Sequence, residues 1–323
     1  METFLETYYS IQAGDRTVWD GTEVFQDANY TYFIIYADQT EAIHMEQAAL
    51  AYYYYENDYR NVAVPVPTLD GKWFSVYDDT PCMVWRANHR PVLPKGPHGE
   101  RLAVFHMTGA AYPYEPETIF NYGQWKELWI EKLTAFENKI NWEAHNHPND
   151  YYRLLMDSMP YLIGLSENAI QYMQETESEQ RFHDTDQATV VFGRYKNQLE
   201  SSLVWGTEFA VDHPARDLAE YIRYQLLYAE DPLRDISLFL NDYQRIRPLS
   251  IFSWRVLLAR LLYPVHFFDV IGRGFSADQY EGVHAELAEL LQKQPMYEER
   301  LGFFFENAGI NPEALQIPVL HWL

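Results

Sequence analysis

Residues 87–101, ANHRPVLPKGPHGER, place three prolines and two glycines within fifteen positions, and the sequence reads differently on either side of them. No regular element runs through such a segment, because proline lacks the backbone donor and fixes its own torsion. Before it, short β-branched and aromatic runs flank one helical stretch. After it, apolar residues recur at three- and four-residue spacings almost to the C-terminus. This division predicts an α+β protein: a small β-rich lobe with one helix over 1–88, a hinge or crossover loop, and a larger, mostly helical lobe over 89–323. With 323 residues, 47% of them hydrophobic, the chain can bury a sizeable core and suits two domains better than one.

Within the first lobe, NYTYFIIYA (29–37) is strand-like, and TEAIHMEQAALAYYYYEND (40–58) is helical, with Ile43, Gln47, Leu50 and Tyr54 on one side. Asp70-Gly71 lies between VPVPT and WFSVY, a pattern that predicts a hairpin joining those two runs. CMVWRA completes the order strand, helix, strand, strand, strand. In the second lobe, TVVFGRY and SSLVWGTEFA interrupt the helices as two short strand-like runs. Asp212 or His213, followed by Pro214, then marks a helix start.

Charge narrows the function classes. Against 24 Lys+Arg stand 47 Asp+Glu, a net charge of −23, so phosphate backbones are repelled and a nucleic-acid partner is not expected. The most apolar stretch, Leu257 to Val270, contains Arg260, His266 and Asp269 and is broken by Pro264. A bilayer span needs about 20 uninterrupted apolar residues, so no membrane partner is expected either. METFLETYYS lacks the basic start and apolar core of a secretory signal. The one cysteine, Cys82, excludes an internal disulfide and reads as core packing. Aromatic content is high, 16% with 26 Tyr, and AYYYYENDY cannot bury four adjacent tyrosines on one helix face. Some ring edges are therefore expected to be exposed, as binding surfaces require.

The specific signal is VWGTEFAVDHPARDLAEYIR, Val204 to Arg223. It resembles the part of aminoglycoside-phosphotransferase-like kinases where a metal-binding aspartate strand is followed by a "GDP..DLA" helix start. Asp212-His213-Pro214 stands for the first half of that motif and Asp217-Leu218-Ala219 for the second. The resemblance implies a protein-kinase-like fold in which Asp217 holds the catalytic loop. Phe192-Gly193-Arg194 falls where these kinases carry His-Gly-Asp. Within that superfamily the chain is most similar to the spore coat proteins of endospore-forming bacteria, the CotS and YutH group. That implies a protein made in the mother-cell cytoplasm and deposited in the spore coat, with other coat proteins as partners.

Phosphoryl transfer needs a phosphate cradle, a lysine on the third strand, a base and magnesium ligands. YTYFIIYA holds no lysine, which would leave Glu46 on the following helix without a partner. Gly14 and Gly21 are seven apart and lie among Asp15, Asp20 and Glu23, which would repel phosphate. Arg194 takes the position of the base, and a guanidinium cannot accept a proton. The magnesium position falls at Trp205, Gly206 or Thr207, none a carboxylate, and Asn197 is too close to Arg194 for the loop asparagine. Phe192, Arg194, Trp205 and Thr207 are thus degenerate positions, Asp212 and Asp217 structural ones. No cofactor and no enzyme activity are expected.

Other groupings carry less. His145-Asn146-His147 and His183-Asp184-Thr185-Asp186 pair imidazole with amide or carboxylate in polar segments, and both read as solvated loops. Ser166 and Ser253 lack a Gly-x-Ser-x-Gly setting. Asp78-Asp79 and Asp231 read as turn residues, and Trp125 with Trp129 as core. The resulting expectation is a catalytically degenerate kinase-like protein acting as a structural or assembly component of the endospore coat. The alternatives are a phosphotransferase rewired around Glu208 as metal ligand, or a glycan- or peptide-binding module that takes a ligand in the interlobe cleft.

Overall fold

The structure, a computed structural model, describes residues 2–12, 14–19, 22–89 and 95–319. Asp20, Gly21 and residues 90–94 of the Pro/Gly-rich connector lie outside them. Two compact units emerge: residues 1–120 with 188–212, and residues 121–187 with 213–323. This partition differs from a cut at 88/89, and a run of aromatic rings explains it. Phe105, in a helix after the connector, stacks on Tyr54 at 4.3 Å and on Phe192 at 5.0 Å, so all three belong to one core.

The first unit contains α1 (Glu2–Tyr9), β1 (Asp15–Trp19), β2 (Thr22–Gln26), β3 (Tyr30–Tyr36), α2 (Glu41–Glu56), β4 (Val64–Val66), β5 (Ser75–Tyr77), β6 (Thr80–Asn88) and α3 (His98–Ala110). The strands form one antiparallel sheet in the order β1-β2-β3-β6-β4, with β5 also on β6. Successive strand residues point to opposite faces. On one face Tyr32, Ile34, Cys82 and Val84 pack with Phe4, Leu5 and Tyr9 of α1. On the other, Phe33 stands directly across from Trp85, and both are buried. Cys82 is fully buried, as core packing requires.

The expected hairpin around Asp70-Gly71 needs correction. A turn does form there, with the Thr68 N–H donating to the Lys72 carbonyl and Gly71 at φ +76°. The flanking strands, however, each pair with β6, through Val64 opposite Arg86 and Ser75 opposite Cys82. The true two-residue hairpin is β5–β6, turning through Asp78 at φ 48° and Asp79 at φ 59°. Two successive left-handed residues match the twist of adjoining strands, and aspartate tolerates that conformation.

The four tyrosines of α2 leave the helix in different directions, and each hydroxyl donates to a separate acceptor. Tyr52 reaches the Pro65 carbonyl, Tyr53 the Thr108 carbonyl at 2.8 Å, Tyr54 the Phe105 carbonyl at 2.9 Å and Tyr55 the Asn88 side chain at 3.3 Å. Tyr54 is buried and the other three are half-buried. The unit closes with a two-stranded antiparallel pair, β7 (Thr189–Phe192) and β8 (Phe209–Asp212). The second strand begins at Phe209, later than the SSLVWGTEFA run implies, because short 3-10 turns occupy Gln198–Glu200 and Gly206–Glu208.

The second unit is helical: α4 (Trp125–Asn146), α5 (Asp150–Glu177), α6 (Ala215–Tyr228), α7 (Pro232–Ile246), α8 (Ile251–Leu262), α9 (Val265–Gly274), α10 (Glu281–Gly302), α11 (Phe304–Asn307) and α12 (Pro312–Leu315). Trp125 and Trp129 are buried on α4, and Tyr151, Tyr152, Leu155 and Leu162 of α5 meet Phe267 and Ile271 of α9 in the core. Asp231-Pro232 opens α7, with proline at a position whose N–H needs no helical partner. None of the described helices is long and apolar enough to cross a membrane.

Candidate functional site

The positions that the kinase resemblance assigns to chemistry fall on β3, α2 and residues 192–208, all in the first unit. On β3, Phe33 lies on the strand face opposite that of Tyr32 and Ile34 and is only 3% exposed. Trp205 meets it edge to face at 4.8 Å and 85°, and Trp19 lies at 6.3 Å. A ring cluster therefore fills this face of the sheet. Gly206 follows Trp205 for a steric reason: a Cβ there would lie 2.5 Å from the Ala51 Cβ and 3.2 Å from the Trp85 ring.

Residues 193–208 satisfy one another. The Gln198 amide donates to Glu208 Oε2 and to the Arg194 carbonyl, both at 2.7 Å. The Gly193 N–H donates to the Glu208 carbonyl at 2.7 Å. Burial pushes the Glu208 carboxyl pKa up, with Gln198 and Lys196 pulling less strongly the other way. Arg194 is half-buried, and its guanidinium donates to the Gly193 carbonyl at 3.2 Å. Phe192 is fully buried beside Phe105, Tyr195 and Phe209. Asn197, at φ 63°, starts the 3-10 turn. Asp212 ends β8 opposite Thr189 and is 1% exposed, a buried structural position.

Two residues of α2 carry more than their sequence setting implied. Glu46 is not left without partners. Its carboxylate accepts from the backbone N–H groups of Glu117 at 2.7 Å, Thr118 at 3.0 Å and Ile119 at 3.1 Å, and from the Thr118 hydroxyl at 2.5 Å. Burial alone would raise its pKa; these donors outweigh burial and lower it. Gln47, 8% exposed, donates to the Thr207 carbonyl at 2.7 Å and the Phe209 carbonyl at 3.3 Å. A lone glutamine on an otherwise apolar helix face was the available signal for this role.

In the second unit, Asp217 lies at the start of α6 and is fully buried. The reading of His183–Asp186 as a solvated loop needs correction at Asp186, which is 2% exposed. Its carboxylate accepts from the His183 N–H at 2.6 Å and from the Ser253 hydroxyl, with His213 Nε2 at 3.5 Å. His213 Nδ1 accepts from the Ala215 N–H at 3.0 Å, so the ring proton sits on Nε2, toward Asp186. Burial raises the Asp186 pKa, but His213, Ser250, Ser253 and the His183 N–H outweigh it and bring it to about 2. This grouping has the residue types of a serine hydrolase without its wiring. Both imidazole nitrogens are engaged and the serine proton is given to the carboxylate, so the histidine is not placed as the serine's base. His145 and His147, by contrast, are exposed at the end of α4. Among the described residues no group of three or more His, Cys, Asp or Glu side chains is placed to hold a metal ion.

Comparison with known proteins follows this geometry. The chain matches the family model described as "Spore coat putative kinase YutH" over residues 2–304. The endospore coat-associated protein YutH of Bacillus subtilis (strain 168) is 35% identical over 235 residues, 70% of this chain and 68% of that protein. Among solved structures, an aminoglycoside phosphotransferase from Alicyclobacillus acidocaldarius superposes with a TM-score of 0.64 at 11% identity, covering 96% of each chain. Spectinomycin phosphotransferase APH(9)-Ia gives 0.62 at 13% identity, over 95% of this chain and 97% of that one. At such identities the likeness is one of fold, and the fold is kinase-like.

Proposed function

The chain belongs to the YutH family of spore coat proteins, and from that premise we propose that it is a coat component that uses a kinase-like fold for assembly instead of phosphoryl transfer. The observation that carries this reading is β3 itself, which holds no lysine and buries Phe33 against Trp205, with Trp85 directly opposite. Three further features support it. Arg194 holds the position of the base and has no acceptor for a proton. Trp205 and Thr207 hold the metal position. Glu208, the nearest acid, has a carboxylate oxygen engaged by Gln198 at 2.7 Å, and burial raises its pKa.

The protein is synthesised in the mother cell and deposited in the coat, where its partners are other coat proteins. The net charge of −23 favours partners with basic surfaces. A glycan-binding role draws little support from the tyrosine-rich helix, because all four hydroxyls are already donated to protein acceptors.

The test is thermal unfolding with and without millimolar ATP and magnesium. A ligand present at a hundredfold excess over its Kd stabilises the folded state by ~2.7 kcal/mol, a shift of a few degrees at this chain length. An unchanged midpoint is expected. A magnesium-dependent rise, with phosphate transfer that disappears in Glu208→Gln, would replace the scaffold reading with a rewired phosphotransferase.

A further inference from the structure

We infer that Glu46 and Gln47 together form a clamp that fixes α2 to the start of β8 and to residues 117–119, the segment beside β8, in place of the lysine–glutamate ion pair that sets this helix in active kinases. The inference rests on the reading of residues 205–208 as the emptied metal position. It deepens that reading by saying what now holds the helix beside it.

Two consecutive helical residues point about 100° apart, so neighbours on α2 can address two separate chain segments. Their chemistry is matched to what each segment offers. The Thr207 and Phe209 carbonyls need donors, and Gln47 supplies its amide N–H groups to both. The N–H groups of residues 117–119 need an acceptor, and Glu46 supplies a carboxylate. The two segments are themselves tied: the Val211 N–H donates to the Ile119 carbonyl at 2.9 Å, and Phe120 bridges to Val211. α2, residues 117–120 and the start of β8 thus form a closed ring of hydrogen bonds, all made by protein groups.

Gly206 supplies an independent observation. The missing Cβ lets the 206–208 turn sit against Ala51 of α2 so closely that no other residue fits without movement. In an active kinase the helix is held through a lysine that also holds phosphate, so its position responds to the nucleotide. Here β3 carries no lysine, and Glu46 and Gln47 of α2 turn to backbone groups instead. The helix position is built into the fold, and the surface it presents does not depend on a bound nucleotide.

Hydrogen–deuterium exchange followed by mass spectrometry tests the clamp on the full chain. Gln47→Met keeps the volume and removes both donors. It is expected to speed exchange about tenfold in peptides covering 205–211, while peptides from α8 in the second unit keep their wild-type rate. Glu46→Gln, at a half-exposed position, is expected to do the same for 116–120 and serves if Gln47→Met does not fold. Rates within twofold of wild type at these segments would overturn the clamp, as would an equal acceleration in α8. The nucleotide-dependent thermal shift of the wild type bears on the proposed function alone, and the exchange difference between variants bears on the clamp alone.

Discussion

Two carboxyl groups in different parts of the molecule have their pKa values shifted in opposite directions. Around β3 and residues 192–208 the rings of Phe33 and Trp205 pack together, and burial raises the pKa of Glu208. In the second unit a buried carboxylate, Asp186, keeps its charge because a histidine, serines and a backbone N–H point at it. The difference teaches which charges a fold can discard. A carboxylate served by one side-chain amide, as Glu208 is by Gln198, can lose its charge at little cost. A charge that joins the loop at 183–187 to the starts of α6 and α8 cannot be removed without leaving several donors unanswered.

The largest effect should therefore come from Asp186→Ala. It strands the His183 N–H, the Ser253 hydroxyl and His213 Nε2–H in the interior, and a loss of about 3–5 kcal/mol in urea unfolding is expected. A loss below about 1 kcal/mol would mean that the two regions do not differ as described.

Acid titration comes next. Asp186 has its pKa held at about 2, below the ordinary ~3.9 of an unfolded aspartate. A lowered pKa contributes stability that is fully present above the unfolded value and is lost as pH falls through the folded one. Between about pH 4 and pH 2 this group should cost the fold about 2 kcal/mol, read as a falling urea midpoint. Glu179, held by Arg181 and Arg255 and also at about 2, adds in the same direction. Glu208 has the opposite sign: its raised pKa disfavours the fold as pH rises past the unfolded value.

The smallest effect should follow from Glu208→Gln, which removes that disfavoured charge and keeps an acceptor for Gln198. Stability at neutral pH should lie within about 1 kcal/mol of wild type, on the stabilising side. A clear destabilisation would show that Glu208 is held ionised for a purpose, and would blur the contrast with Asp186.

The fold was legible where periodicity alone decides. The strand at 30–36, the helix at 41–56 and the long helices of the second unit all follow the apolar spacing of their residues. The hairpin assignment failed because Asp-Gly and Asp-Asp both permit left-handed turns, and only the reach of β6 decides which strands pair. α1, the β1–β2 pair, α7 and α9 went unread because they are short or begin at prolines that look like breaks. At the site, the absence of lysine from β3 and the arginine at position 194 were readable from residue types. Asp186 was not, because its burial comes from His213 and Ser253, 27 and 67 residues away.

The Tyr52–Tyr55 run has one more consequence, for tolerance to change in chain length. By composition the four residues are interchangeable, yet each hydroxyl has its own address: one on β4, two on α3 and one on β6. A single inserted or deleted residue earlier in α2 would rotate the whole run by about 100°, so that every ring would arrive at its neighbour's address. Substitution within the run removes one tie, and so does a one-residue shift in register, because a neighbouring tyrosine then reaches three of the four addresses.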